Sequence, residues 1–178
     1  MKLPSNKIES AVSKTESHYN LQGVKLDVAG KRLLATDGYI AAVVPCEVSP
    51  EDHDCILPLD SIKMLRAMSK RCKTDVTVNT NGKIIAEACG ERMEATPLPG
   101  DFPNIDRVMP EFSGEPTITL NASLLVRLAE ALVADPKRDD LCVSLWIRDA
   151  HSSILVKPFH AALGEVGVLM PVAPGKKR

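Results

Sequence analysis

The chain has 178 residues, of which 44% are hydrophobic and 25% charged, and a formal net charge of −1. That balance fits an ordinary globular protein, and at ~100 to 200 residues per domain the length allows one domain or a domain and a half. No apolar stretch approaches the ~20 residues that span a bilayer, and Met1-Lys2-Leu3-Pro4 leads into a polar segment rather than a signal-peptide core, so a cytoplasmic protein without a membrane partner is expected.

One pattern is written three times, beginning near Leu3, Cys55 and Thr117. Each copy has a short apolar run, a polar cap, an amphipathic helix and three short strands. The first opens on Leu3-Pro4-Ser5-Asn6, where Ser or Asn can accept hydrogen bonds from the free amides of a helical turn. Alternation then predicts strands over Gly23–Val28 and Arg32–Thr36 around a turn at Ala29-Gly30-Lys31. A tight turn at Asp37-Gly38 precedes a third strand from Tyr39 to Val44.

The second copy opens on Ile56-Leu57-Pro58-Leu59-Asp60, with Asp60 as the cap, and continues into a helix to about Arg71. Strands follow at Asp75–Asn79, Lys83–Ala88 and Arg92–Thr96, separated by turns at Asn81-Gly82 and Gly90-Glu91. A Pro- and Gly-rich linker from Pro97 to Pro116 interrupts the pattern. The third copy opens on Ile118-Thr119-Leu120-Asn121 and gives strands at Leu141–Ile147, Ser153–Val156 and Val166–Met170. A period of roughly 55 to 60 residues is a modular architecture, which more often builds a surface or a ring than a catalytic cleft.

Three stretches then become specific when taken together and in order: Leu34-Ala35-Thr36-Asp37-Gly38-Tyr39, Gly100-Asp101-Phe102-Pro103-Asn104-Ile105-Asp106-Arg107-Val108-Met109-Pro110 and Gly167-Val168-Leu169-Met170-Pro171-Val172. They resemble signature stretches of the bacterial sliding clamp, the DNA polymerase III beta subunit. Leu21-Gln22-Gly23-Val24 also matches the strand that opens the family's middle domain. The resemblance implies an α+β DNA clamp fold, with three strand-helix-three-strand repeats and antiparallel sheets. Residues 1–110 then correspond to a complete two-repeat domain, and residues 111–178 to a linker and a half domain of one repeat.

Clamps of this family have six repeats per full-length chain and twelve in the closed ring. This sequence lacks counterparts of the first domain and of the first half of the last, which carry the head-to-tail interface. Such an abbreviated clamp suggests a phage or another mobile genetic element as its source. Three repeats per chain require four chains for a ring. A lone repeat of ~60 residues buries only about 60% of its unfolded surface, so the third copy needs a neighbour, either the first domain of its own chain or the third copy of another around a two-fold axis, and self-association to a dimer or tetramer is expected.

Clamp helices face the duplex. On the predicted helix Lys63, Arg66 and Lys70 fall on one stripe, with Lys73 close by and Met64, Leu65 and Met68 on another side. These four basic residues are either a non-specific double-stranded DNA contact or a solvated helix face. The other helices mix charges: Lys7 and Lys14 stand with Glu9 and Glu16, and Arg127 pairs with Glu130. Tyr19 resembles a position near single-stranded DNA or packs a hairpin, and Gly175-Lys176-Lys177-Arg178 either trails towards nucleic acid or is a plain tail.

The resemblance also implies a pocket between the middle and last domains for the extended clamp-binding peptides of polymerases and other replication proteins. The matching positions are Leu21, Thr36, Gly38, Tyr39, Ile40 and Ala41, then Pro103, Arg107 and Val108, then Ser153, Val168, Leu169, Met170 and Pro171. Leu, Val and Met make an adaptable apolar floor, and Arg107 and hydroxyls can orient a peptide. Ile40 and Ala41 depart from the basic and larger apolar residues common there, which reshapes the pocket. The alternative is that these residues only pack the junction between copies.

No catalysis is expected. There is no Gly-rich phosphate loop, no Gly-x-Ser-x-Gly elbow and no His-Glu-x-x-His helix. The four histidines, His18, His53, His151 and His160, lack metal-ligand spacing, and Asp52-His53-Asp54 reads as a solvated acidic loop rather than a metal site. The five cysteines suggest neither a disulfide framework nor a zinc site and read as buried or incidental thiols, so no cofactor is expected. Two functions remain. One is a polymerase processivity factor assembled around DNA; the other is an adaptor or decoy that binds clamp-binding motifs without encircling DNA.

Overall fold

Residues 23–45 form a meander because short runs rich in Val, Leu and Ala are separated by connections that hold turn-forming residues. The computed structural model describes residues 1–13, 20–73, 76–110, 116–133, 141–159 and 164–172. They divide into two compact units, residues 1–110 and 111–178.

In the first unit, β1 (Gly23–Asp27), β2 (Arg32–Thr36) and β3 (Ala41–Pro45) pair antiparallel, with Val24, Leu26 and Leu33 fully buried. β3 starts later than the alternation predicts. The Asp37 carboxylate accepts hydrogen bonds from the N–H groups of Tyr39 and Ile40, at 2.8 and 2.9 Å, and so keeps both residues in the loop.

The opening runs of the two repeats change places. β4 (Cys55–Pro58), the opening run of the second repeat, lies antiparallel against β1, with Lys25 opposite Ile56 and Val24 opposite Leu57. The first repeat's sheet therefore has the order β3-β2-β1-β4. In return, Lys2 bridges Thr77, and the N–H of Val78 donates to the carbonyl of Met1 at 2.8 Å. That contact sits at β5 (Val78–Asn79), which begins the second sheet with β6 (Ile84–Ala88) and β7 (Glu91–Ala95).

One core results. Val24, Leu26 and Leu33 of the first repeat pack in the same cluster as Ile62, Leu65, Met68, Val78 and Ile84 of the second.

α1 (Leu59–Cys72) turns Ile62, Leu65 and Met68 inward, but Met64, grouped with Leu65 and Met68 on sequence, is 57% exposed. Asp60 lies inside the first turn rather than at the cap, where a carboxylate suits the positive end of the helix dipole. The first repeat departs further from expectation: Ile8–Ala11 is a single 3-10 turn entered without a side-chain cap. Just before this turn, the Arg66 guanidinium donates to the carbonyls of Pro4 and Asn6. The hairpin of β6 and β7 turns at Cys89-Gly90, both with positive φ, one residue before the predicted dipeptide.

Two further expectations change. Much of the segment read as a linker belongs to the first unit: the N–H of Leu98 donates to Ile56 O at 2.9 Å, and Asn20 donates to Pro99 O at 2.9 Å. Asp52, read as part of a solvated loop, is buried. Its carboxylate lies 2.5 Å from the Met1 ammonium and accepts from the Ser49 N–H at 2.7 Å and the Thr80 hydroxyl at 3.0 Å. The five cysteines are free thiols, three of them half-buried and Cys89 and Cys142 exposed.

In the second unit, α2 (Ala122–Leu132) is capped as predicted, the Asn121 side-chain Oδ1 accepting from the N–H groups of Ser123 and Leu124 at 3.0 and 3.4 Å. It packs on a sheet of order β10-β9-β8, from β8 (Val143–Trp146), β9 (Ile154–Pro158) and β10 (Gly167–Leu169). Among the described residues, Ile154, Val156 and Leu169 form the buried centre of its core, with Ile118, Leu120, Leu128 and Leu145 partly buried around them. Lys14, Glu16, Tyr19, His18, His160 and the 175–178 tail lie outside the described residues.

Candidate peptide-binding surfaces

In the first unit, β2 organises both predicted segments. At its end, the Thr36 hydroxyl donates to Ile40 O at 2.6 Å and accepts from the Gly38 N–H at 3.1 Å. Gly38 has φ of +95°, a backbone conformation that glycine adopts without strain. Its amide neighbours also hold the Asp37 carboxyl below the usual carboxylate range, through the hydrogen bonds from Ile40 and then Tyr39. The loop so fixed leaves Tyr39 96% exposed and Ile40 and Ala41 exposed beside it. Thr36 is itself buried and shapes this surface from below through those hydrogen bonds, and Leu21 is buried as well.

At the start of β2, Arg32 reaches the segment carrying the other predicted residues. Its two terminal nitrogens donate to the two Asp106 oxygens at 2.8 and 2.7 Å, while Nε donates to Asp27 at 2.7 Å. Such a two-pronged fork fixes orientation as well as distance. The guanidinium holds the Asp106 carboxyl low, and its own pKa is raised by Asp106 first and Asp27 second. The fork anchors a 3-10 turn, Ile105–Arg107, whose Ile105 is buried and whose Asn104 side chain accepts from the Asp106 N–H at 3.0 Å. Arg107 and Val108 are thereby held at the surface, with Pro103 half-buried.

The second unit contributes a groove of about 770 Å³ between α2 and the chain from Val168 to Val172. Next to it, α2 packs closely on β10 at Gly167: a Cβ there would come 2.7 Å from Leu128 Cδ1, so a larger residue would require the Leu128 side chain to shift. Leu169 points into the core, while Val168 and Met170 are 60% and 61% exposed. Leu124, Leu128 and Ala131 line the helix side, and Arg127 and Asn121 supply polar atoms. Leu124, Leu128 and Ala131 were not singled out on sequence; their i, i+4, i+7 spacing was the available signal. Ser153 is exposed just before β9 and does not line this groove.

A cleft of about 590 Å³ in the first unit, beside Lys25, His53, Asp54 and Phe102, holds none of the predicted residues. Among the described residues there is no cluster of three metal-ligating side chains and no helix long and apolar enough to cross a membrane.

The basic stripe of α1 is interrupted. Lys63, Lys70 and Lys73 are exposed, with Lys63 3.1 Å from Asp60. Arg66 is turned inward, its Nε donating to Glu9 at 3.3 Å and a terminal nitrogen at 3.2 Å. Arg71 pairs with Glu91.

No family model matches this chain, and a search of curated proteins finds no match. Solved structures do match. The beta sliding clamp of Caulobacter crescentus aligns with a TM-score of 0.69 at 21% identity, covering 96% of this chain and 47% of that one. The Bacillus subtilis sliding clamp gives 0.70 at 21%, covering 93% and 45%, and the Streptococcus pyogenes polymerase beta subunit gives 0.73 at 20%, covering 94% and 46%. This chain therefore spans about half the length of the clamps it matches. Its fold is that of the bacterial DNA polymerase III beta sliding clamps.

Proposed function

We propose that this chain is a clamp-like accessory protein of DNA replication, not an enzyme, which serves polymerase processivity by holding clamp-binding peptides of polymerases or other replication proteins. The observation that carries this reading is the α2–β10 groove, where Val168 and Met170 stand exposed over an apolar floor bordered by Arg127 and Asn121. An apolar cleft with a few polar groups at its edge suits an extended peptide with apolar anchors, and Met adapts its shape to varied sequences. Ser153 and Pro171 in the second unit, and Tyr39, Ile40, Ala41, Pro103, Arg107 and Val108 in the first, are further peptide-contacting positions. Leu21, Thr36 and Gly38 act by shaping the Tyr39 loop. Binding of a labelled clamp-binding peptide, and its loss on Val168→Asp, tests the reading.

A second reading is an adaptor or decoy that captures the same peptides without encircling DNA. It is favoured by one observation, the commitment of Arg66 to Glu9, Pro4 and Asn6, which leaves only Lys63, Lys70 and Lys73 of the four basic residues read as a double-stranded DNA contact. Light scattering with closed circular and linearised DNA separates the two. A tetramer retained on circles and lost on linearisation supports the ring; indifference to DNA topology supports the adaptor.

A further inference from the structure

The way the first unit is built defines what the second lacks. In each repeat, the opening run uses one edge to bond the residues just after its own last strand: Lys2 N–H to Glu47 O, Leu98 N–H to Ile56 O, and Val172 N–H to Thr119 O, each at 2.9 Å. In the first unit, the other edge of each opening run lies on the leading meander strand of the other repeat, through Ile56 opposite Lys25 and Lys2 opposite Thr77. The exchange is reciprocal. It closes two sheet edges and places both repeats on one core.

The third repeat has both halves of that exchange open. Among the described residues, β8 pairs only with β9, and no strand lies on the outer edge of residues 118–120. Ile118 and Leu120 face inward and Thr119 outward, the alternation of a strand. Beside β8, Leu141 is 42% exposed, Trp146 53% and Ile147 43%. An open strand edge flanked by exposed apolar side chains is a template for pairing with another chain.

We infer that two copies of this chain exchange their opening runs at the third repeat, residues 117–120 of each lying antiparallel on β8 of the other, so that two half domains complete one domain. This rests on the clamp fold but not on peptide binding. A second copy is the fitting occupant because it brings both missing pieces at once, an opening run and an open β8, and a two-fold axis then satisfies all four edges. The register follows from the first unit. Aligning Ile56 with Thr119, the residues that accept from their own tails, and Lys25 with Ser144, outward-facing residues of the two leading strands, sets Thr119 opposite Ser144 and Leu120 opposite Val143. The groove lies at β10, on the far side of the sheet from β8, and stays open in such a dimer.

The test is the solution mass of the full chain together with the double variant Thr119→Cys, Ser144→Cys under mild oxidation. Ser144 pairs with β9 through its ladder hydrogen bonds, so its new partner would be a non-hydrogen-bonded neighbour at about 4.5 Å between Cα atoms, within disulfide reach. The expected result is a wild-type mass twice the 19.3 kDa of one chain. The variant should give a covalent dimer on non-reducing gels, in which mass spectrometry links position 119 to position 144. A monomer at every concentration, a dimer without that linkage, or the linkage formed within one chain would overturn the proposal. Circular dichroism establishes that the variant is folded, and the wild-type mass decides the matter without it. Peptide affinity measured on the same samples is independent: its survival in a monomeric protein overturns the exchange and leaves the peptide-binding reading intact.

Discussion

Arg66 of α1 grips Glu9 with two nitrogens, at 3.3 and 3.2 Å, and reaches past it to the carbonyls of Pro4 and Asn6. Both charged side chains are less than a quarter exposed. The residue that sequence spacing placed in a DNA-facing stripe thus ties the opening segment of the first repeat to the helix of the second. Arg66→Ala should destabilise the protein by about 2 kcal/mol, the scale of losing hydrogen bonds to a charged group. Thermal denaturation would show it. Lys63→Glu and Lys70→Glu should leave the melting temperature nearly unchanged, and any DNA affinity lost in them reports on contact rather than folding.

Asp52 gives a pH dependence with a definite sign. Burial acts to raise its pKa, but the Met1 ammonium, the Ser49 N–H and the Thr80 hydroxyl together hold it below the ordinary value of 3.8. Its stabilising contribution is therefore fully present above pH ~4 and is lost as the pH falls through the depressed folded value. Asp52→Asn should cost about 3 kcal/mol near neutral pH, because the ammonium stays buried without its partner. It should also flatten the acid limb of stability, measured by denaturant melts between pH 2 and 7.

Gly38 has open space around its Cβ position, so the cost of Gly38→Ala is conformational rather than steric. At a φ of +95° the substitution should cost about 1 kcal/mol and shift the Tyr39 loop. Chemical shifts of Tyr39 and Ile40 amides should move while those of Leu26 and Leu33 stay in place.

The repeat pattern, nearly every strand and the Asn121 cap were legible because alternation and turn chemistry are local properties. What was not legible depends on long-range pairing. Ile56 read simply as part of an apolar opening and Lys2 lay just ahead of the one beginning at Leu3, yet each crosses to the other repeat's sheet. Arg66 read as a surface cation because its spacing matches Lys63 and Lys70; only the fold brings Glu9 to it. In the candidate site, Val168 and Met170 were found by motif, whereas the Arg32–Asp106 fork beneath Arg107 and Val108 joins residues too far apart in sequence to be paired on spacing.

Peptide binding is the central claim, and fluorescence anisotropy tests it most directly. A fluorescein-labelled clamp-binding peptide from a bacterial replicative polymerase would be titrated with the wild-type chain, Met170→Ala and Val168→Asp. Saturable binding that weakens about tenfold in Met170→Ala, near the ~1.4 kcal/mol expected for trimming part of a buried apolar contact, and disappears in Val168→Asp, is the predicted result. Equal affinity for all three proteins, or no saturable binding by the folded wild type, would contradict it.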